Sequence, residues 1–305
     1  MPMPSYISAY DTEAVYAWWD APTGPGYQGR ISYEGERLTE CIAGVRAVAQ
    51  VHLERQAPAS FFIVAELLQH AASEFRAILD ESLFDIQCHS FTHKDLIGLA
   101  DADDNAALQY ELVDSKKLIE DTFSRPVIGL TAPGGYTRGF IGQERILHVI
   151  WEAGYRYMRT VGAGPDGTMP APLNRPFWYA REGFPGLLEM PSHAWHDNIL
   201  TGQPGKVLWP PQFPWPYPAH MPVDAQGVYE AYDPGIDYVQ QANLPYYLPI
   251  FHPWSVYRID RRAQQLDLLL RHAQTENLPL VSCTQQYEYA LAHKSQIPDA
   301  SPDDL

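Results

Sequence analysis

Two histidines four residues apart, His89 and His93, stand in FDIQCHSFTHKDL (residues 84–96), directly after an apolar run. Four residues is about one helical turn, so both rings can face one point in space. Neutral imidazole is the commonest metal ligand, and two such rings with one carboxylate leave a divalent ion an open position. A hydrolytic metal needs that position for a water. The rest of the chain must then provide a carboxylate, a general base, a general acid and a wall for the substrate.

Asp11 and Glu13 are the first candidates, as D-T-E after the apolar run YISAY (residues 6–10). Residues two apart in extended chain point the same way, so the pair can divide metal ligation and proton abstraction. The same triplet also reads as a cap that starts a turn. His252, in LPIFHPW (residues 248–254), follows another apolar run and suits a proton donor to a leaving group, or a core histidine satisfied by its neighbours. His193, His196 and Asp197 in PSHAWHDN (residues 191–198) can orient another histidine, line a pocket or satisfy a loop.

The elements that must position these residues alternate. Strands are expected at 6–10, 58–64, 83–88, 127–130, 155–158, 187–190, 247–251 and 278–282, from short apolar runs bounded by turn residues. Helices are expected at 38–55, 65–79, 103–123, 144–153, 261–274 and 284–293. Alternation of this kind implies a parallel sheet covered by helices. The polar candidates fall at strand carboxyl ends spread over the whole chain. That favours an α/β fold of the (β/α) barrel type, distorted and seven- or eight-stranded, with its site at the C-terminal ends of the strands. An open doubly wound sheet is the alternative.

Size and composition agree with such a fold. The chain has 305 residues, 46% of them hydrophobic and 19% charged, with neither an internal repeat nor a long flexible linker. One domain over residues 1–305 is expected, with a Pro/aromatic-rich insertion at about 203–245. Within it WPPQFPWPYP (residues 209–218) reads as a rigid aromatic loop. Trp209, Trp215 and Tyr217 can stack on sugar rings, pack as a loop core or form a subunit contact in a homo-oligomer. A net charge of −16 argues against nucleic acid or anionic lipid as a partner. No apolar run is long enough to span a membrane. The first residues, MPMPSYISAYDTEA, show no secretory pattern, so a cytoplasmic location is expected. Three scattered cysteines (Cys41, Cys88 and Cys283) make no zinc framework and fit a reducing compartment. Cys88 beside His89 is expected to be a small buried strand residue.

Together these motifs resemble the polysaccharide deacetylases of carbohydrate esterase family four, the NodB homology domain, over roughly residues 6–290. The peptidoglycan deacetylase and allantoinase-like branch is nearest. His89-Ser-Phe-Thr-His93 is similar to the family's H-S/T-x-x-H metal motif. Pro58-Ala-Ser-Phe-Phe-Ile-Val64 resembles the strand that precedes it. Asp11-Thr-Glu13 resembles the first aspartate motif, Ala132-Pro-Gly-Gly135 the groove motif, and Phe251-His-Pro-Trp254 the late histidine motif. The resemblance implies one divalent metal ion, zinc or a similar cation, held by Glu13, His89 and His93. It implies Asp11 as base and His252 as acid. Pro133, Gly134, Gly135, Tyr136, Trp195 and Trp254 become substrate-wall candidates, with the Tyr136 amide a candidate oxyanion donor. The implied reaction is hydrolysis of a C–N amide, with an N-acetylated amino sugar or oligosaccharide as substrate. A small ureide on the same scaffold, or carbohydrate binding without catalysis, are the alternatives. Two departures stand out. Glu13 is a methylene longer than the family's aspartate. The family arginine that holds the catalytic aspartate ionised falls on Thr131, which cannot do that electrostatic work. Arg125 and Arg159 are the candidates to replace it.

Overall fold

Side-chain alternation along the strands divides the interior into two layers. The computed structural model describes residues 4–14, 35–162, 173–193 and 222–299. Within these, β1 (Ser5–Ile7) and β2 (Ala9–Thr12) form one run broken at Ser8. They are followed by β3 (Ala59–Ile63), β4 (Phe84–Cys88), β5 (Gly129–Tyr136), β6 (Tyr157–Val161), β7 (Phe177–Trp178), β8 (Leu188–Glu189), β9 (Tyr246–Tyr247), β10 (Ile250–Phe251) and β11 (Leu280–Val281). Odd and even residues of each strand face opposite ways. Ala9, Phe62, Tyr157 and Leu188 therefore join Tyr246 and Leu248 in an inner cluster. Tyr10, Phe61, Ile63, Leu130 and Met158 face outward into a second layer against the helices.

Eight strands form one sheet in the order β10-β2-β3-β4-β5-β6-β8-β7, parallel except for β7 against β8. β1 is flanked by β9 and β11. Beyond β8, His193 makes a parallel bridge to Pro249, between β9 and β10, and its amide donates to Leu248 O at 2.8 Å. That bridge ties the far side of the curled sheet back to its start. The result is the expected distorted (β/α) barrel. Helices α1 (Gly35–Arg55), α2 (Glu66–Leu79), α3 (Leu96–Asp101), α4 (Asn105–Gln109), α5 (Ser115–Phe123) and α6 (Glu144–Glu152) cover its first two thirds. Further helices span Ala225–Tyr232, Pro234–Gln241, Pro253–Ile259, Gln264–Thr275 and Cys283–Ala292.

Several expectations are corrected. The single helix at 103–123 is α4 and α5 joined by a π-helical turn at Tyr110–Asp114. The expected Pro/aromatic-rich insertion at 203–245 holds two helices in its second half, the first capped by the Asp224 carboxylate and the second begun by Pro234. Proline at the first position of a helix is compatible with it, because no partner for that N–H is needed. Residues 209–218 lie outside the described residues. The strand expected at 247–251 is interrupted by Pro249, which has no N–H for the ladder. The helix at Pro253–Ile259 and the short α3 were not anticipated.

Candidate active site

The polar ends of β2, β4, β5, β6 and β10 meet at one mouth of the barrel. Glu13 lies just past β2, is 1% exposed, and is the hub. Its Oε2 is 2.7 Å from His93 Nε2 and 3.4 Å from His89 Nε2, and its Oε1 is 3.3 Å from His252 Nε2. Burial alone pushes the Glu13 carboxyl up. With protons rather than a cation between these groups, the charges of His93 and His252 and hydrogen bonds from His89 and His93 outweigh it and hold the group well below the usual carboxylate range. One ligand atom from each of Glu13, His89 and His93 lies within 4.8 Å of the other two. The glutamate's extra methylene thus does not carry its carboxylate away from the imidazoles.

The donor set fits a cation. His89 Nδ1 lies 3.0 Å from the carbonyl of Thr131, which can only accept, so Nδ1 carries the proton. In a neutral ring Nε2 is then a lone pair, and it faces a carboxylate oxygen. Two acceptors pointed at each other are what an ion between them resolves. A carbonyl behind the ring is also the usual device for fixing a metal-binding tautomer.

His93 and Ser90 reach their places through strained backbone, with φ of +60° and +61° in the left-handed region. The Ser90 hydroxyl accepts from His93 N at 3.1 Å and closes the loop between the two histidines. His252 follows β10 directly and occupies the N-cap position of the helix Pro253–Ile259. That helix packs so closely on α1 that a Cβ on Gly44 would sit 2.3 Å from Pro253 O.

Asp11 is 7% exposed, and Arg159 of β6 is 3% exposed. Arg159 Nη1 donates to Asp11 Oδ1 at 3.0 Å. Its Nε bonds Ser192 Oγ at 3.2 Å, and its guanidinium lies 4.6 Å above the Phe62 ring. Thr131 and Arg159 are direct partners across β5 and β6. The arginine missing from β5 therefore stands on the adjacent strand, opposite the position it left. Arg125 serves elsewhere: it bonds Asp80 and the carbonyls of Glu81 and Phe84 at the other end of β4.

The wall candidates divide. Pro133, Gly134, Gly135 and Tyr136 end β5 beside His89. Gly134 has φ +71°, and a Cβ on Gly135 would collide with the Gly162 backbone at 2.6 Å, so this turn tolerates little besides glycine. Tyr136 pairs with Val161 in the β5–β6 ladder, and its hydroxyl donates to Asp95 at 3.0 Å. The oxyanion role read for its amide competes with that ladder. Trp254 is 0% exposed and offers no face to a sugar. It packs 6.0 Å from the His252 ring and under Arg258, which forks onto Glu40 of α1. Trp254 is thus a brace for His252 rather than a wall. Trp195, His196 and Asp197 lie outside the described residues. His193 is buried in the barrel seam: Nδ1 accepts from Leu248 N at 3.2 Å and Nε2 donates to Asn174 O at 3.0 Å. Cys88 is buried, as expected, its thiol donating to Ser115 Oγ.

Fold and site together define an α/β-barrel protein with a candidate metal centre at the carboxyl ends of its strands. Residues 43–158 match the polysaccharide deacetylase family, and the resemblance seen in the motifs is borne out. The match ends one residue before Arg159. Among solved structures, a protein from Mycobacterium smegmatis named as a polysaccharide deacetylase is 17% identical, with a TM-score of 0.67, 99% of this chain covered and 95% of that one. Puue allantoinase is 14% identical, with a TM-score of 0.66 and 94% and 89% covered. A protein from Pseudomonas aeruginosa, also named as a polysaccharide deacetylase, is 14% identical with a TM-score of 0.65 and 94% and 90% covered. These likenesses show the fold. No curated protein matches the chain. Among the described residues no helix is long and apolar enough to cross a membrane.

Proposed function

We propose that the protein is a metal-dependent hydrolase of non-peptide C–N amide bonds, acting on the N-acetyl group of an amino sugar or short oligosaccharide. The observation that carries this reading is the convergence of Glu13, His89 and His93 beside an Asp11 that is ion-paired to Arg159. Those three side chains would hold one zinc or similar divalent ion. Such an ion, when bound, supplies Lewis acidity toward an acyl carbonyl and a water. Asp11 accepts the proton of the attacking water, and Arg159 fixes the carboxylate's position and charge. His252, across Glu13 from the two histidines, donates a proton to the departing amine. The Pro133–Tyr136 turn forms one wall. Three buried, unpaired cysteines support a reducing compartment such as the cytoplasm.

Metal analysis of the purified protein and of His89→Ala and His93→Ala tests the assignment. The wild type should carry one divalent ion per chain and both variants should lose it; unchanged content in both refutes the reading. A second reading, hydrolysis of a small ureide, is supported by the whole-length likeness to Puue allantoinase. A panel of acylated sugars and ureides, scored for acetate, formate and ammonia, separates the two. The non-catalytic alternative rested on the absent arginine at Thr131, and the Arg159–Asp11 pair supplies the charged partner that the catalytic reading needs.

A further inference from the structure

Glu111 is a fully buried carboxylate outside the ligand set, and its three acceptor contacts all fall on one short stretch. Its Oε2 accepts from the amides of Phe91 and Thr92 at 2.9 and 2.8 Å. Its Oε1 accepts from the Thr92 hydroxyl. Phe91 and Thr92 are two of the three residues between His89 and His93. The chain holds Glu111 there through the π-helical turn Tyr110–Asp114 between α4 and α5. Such a turn carries one residue more than an α-helical turn and is frequent at functional sites. Here its first two residues act together: the Tyr110 ring stacks on Phe91 at 4.1 Å while Glu111 takes the loop's donors. The Glu111 carbonyl in turn accepts from Ser115 Oγ at 2.6 Å, and Ser115 accepts from Cys88, one residue before His89.

We infer that Glu111 is a positioning residue for metal binding, a carboxylate that holds the His89–His93 loop in its strained form. This rests on the metal reading above. The loop has two non-glycine residues at positive φ, Ser90 and His93, and such residues persist only where their surroundings over-determine them. The Ser90–His93 contact is internal to the loop and cannot anchor it to the barrel. The amides of Ala65 and Glu66 tie the loop's carbonyls at Ser90 and Phe91 to the barrel, and Glu111, at 0% exposure, ties its donors from a separate element. Without it, two backbone amides beside the ligands lose their acceptor and the loop can relax toward ordinary φ. The two imidazoles would then diverge, although no ligand atom had been altered.

Cobalt and zinc binding to the full chain tests this, by chelator competition and by the visible spectrum of the Co²⁺ form, for wild type, Glu111→Gln and Thr92→Ala. Glu111→Gln should stay folded by circular dichroism, bind on the order of tenfold more weakly and show an altered Co²⁺ spectrum. Thr92→Ala, which keeps both amides, should lose a few-fold. If Glu111→Gln does not fold, Thr92→Ala decides alone: weakened binding supports the inference and unchanged binding overturns it. Wild-type binding with the same affinity and spectrum in every folded variant overturns the inference and leaves the metal reading standing. A wild type that takes up neither ion overturns both.

Discussion

Each end of the barrel centres on a carboxylate, and the two are satisfied in opposite ways. At the amino end of the strands, Asp85 accepts from Ser60 Oγ, Gln87 Nε2, Tyr157 OH and both the amide and hydroxyl of Thr284. These donors are neutral, they come from β3, β4, β6 and the last helix, and they tie the floor together. At the other mouth, Glu13 is surrounded by three imidazoles from two strand ends. Imidazoles can exchange a proton for a cation, and hydroxyls and amides at neutral pH cannot. The floor is therefore a finished hydrogen-bond network, while the mouth is one whose partners are able to do chemistry. The flanking groups repeat the contrast, since Asp11 faces a guanidinium and Glu189 is closed off by Thr160, Val161 and Tyr179.

The sharpest break of that contrast is Glu13→Gln against Asp85→Asn. Glu13→Gln should lose bound metal and at least about a thousandfold in kcat/KM, read by metal analysis and acetate release. Acid comes next, because the seam and the outer layer depend on histidines that must stay neutral. Burial pushes both His52 and His193 down to about 4, from an ordinary value of 6.5. Below pH 6.5 the unfolded chain binds these protons and the folded chain does not. Stability is therefore full above pH 6.5, falls as pH drops toward 4 and levels off below that, by up to about 3 kcal/mol per histidine. Thermal melts between pH 7 and 4 should show the fall, and His193→Gln should remove about half of it, the His52 part remaining. A wild-type melt independent of pH over that range contradicts the neutral seam.

Arg159→Leu follows, with an expected loss of about a hundredfold in kcat at unchanged metal content, since Asp11, the proposed base, loses its charged partner. Thr131→Arg added to Arg159→Thr returns the charge to β5 and should recover part of the rate; no recovery would mean that Arg159 does more than pair with Asp11. Asp85→Asn is the smallest in activity. It should cost about 2 kcal/mol of stability with kcat within a few-fold of wild type. A large fall in kcat there would show that floor and mouth are coupled.

Much of this was legible in the sequence. His89, His93, Asp11, Glu13 and His252 each follow an apolar run, and a strand end in an α/β barrel can only deliver its polar residue to one face. The groups the sequence hid act through the fold. Glu111 sits with Leu108, Leu112 and Ser115 on the inner side of an expected helix, and that misplaced charge was a signal, but only the π turn aims it at the loop between His89 and His93. Trp254 was a wall candidate through its place in the late histidine motif, and burial under Arg258 decides otherwise.

Residue type and spacing alone determined which side chains can bind a cation, which can move a proton and that strands and helices alternate, because those properties are local. Tertiary structure decided that an arginine on β6 stands in for one absent from β5, that the chain after β8 closes the barrel through His193, and that three imidazoles share one glutamate. The reason is distance: Asp11 and Arg159 are 148 residues apart in the chain and 3.0 Å apart in space, and only the register of neighbouring strands converts the one into the other.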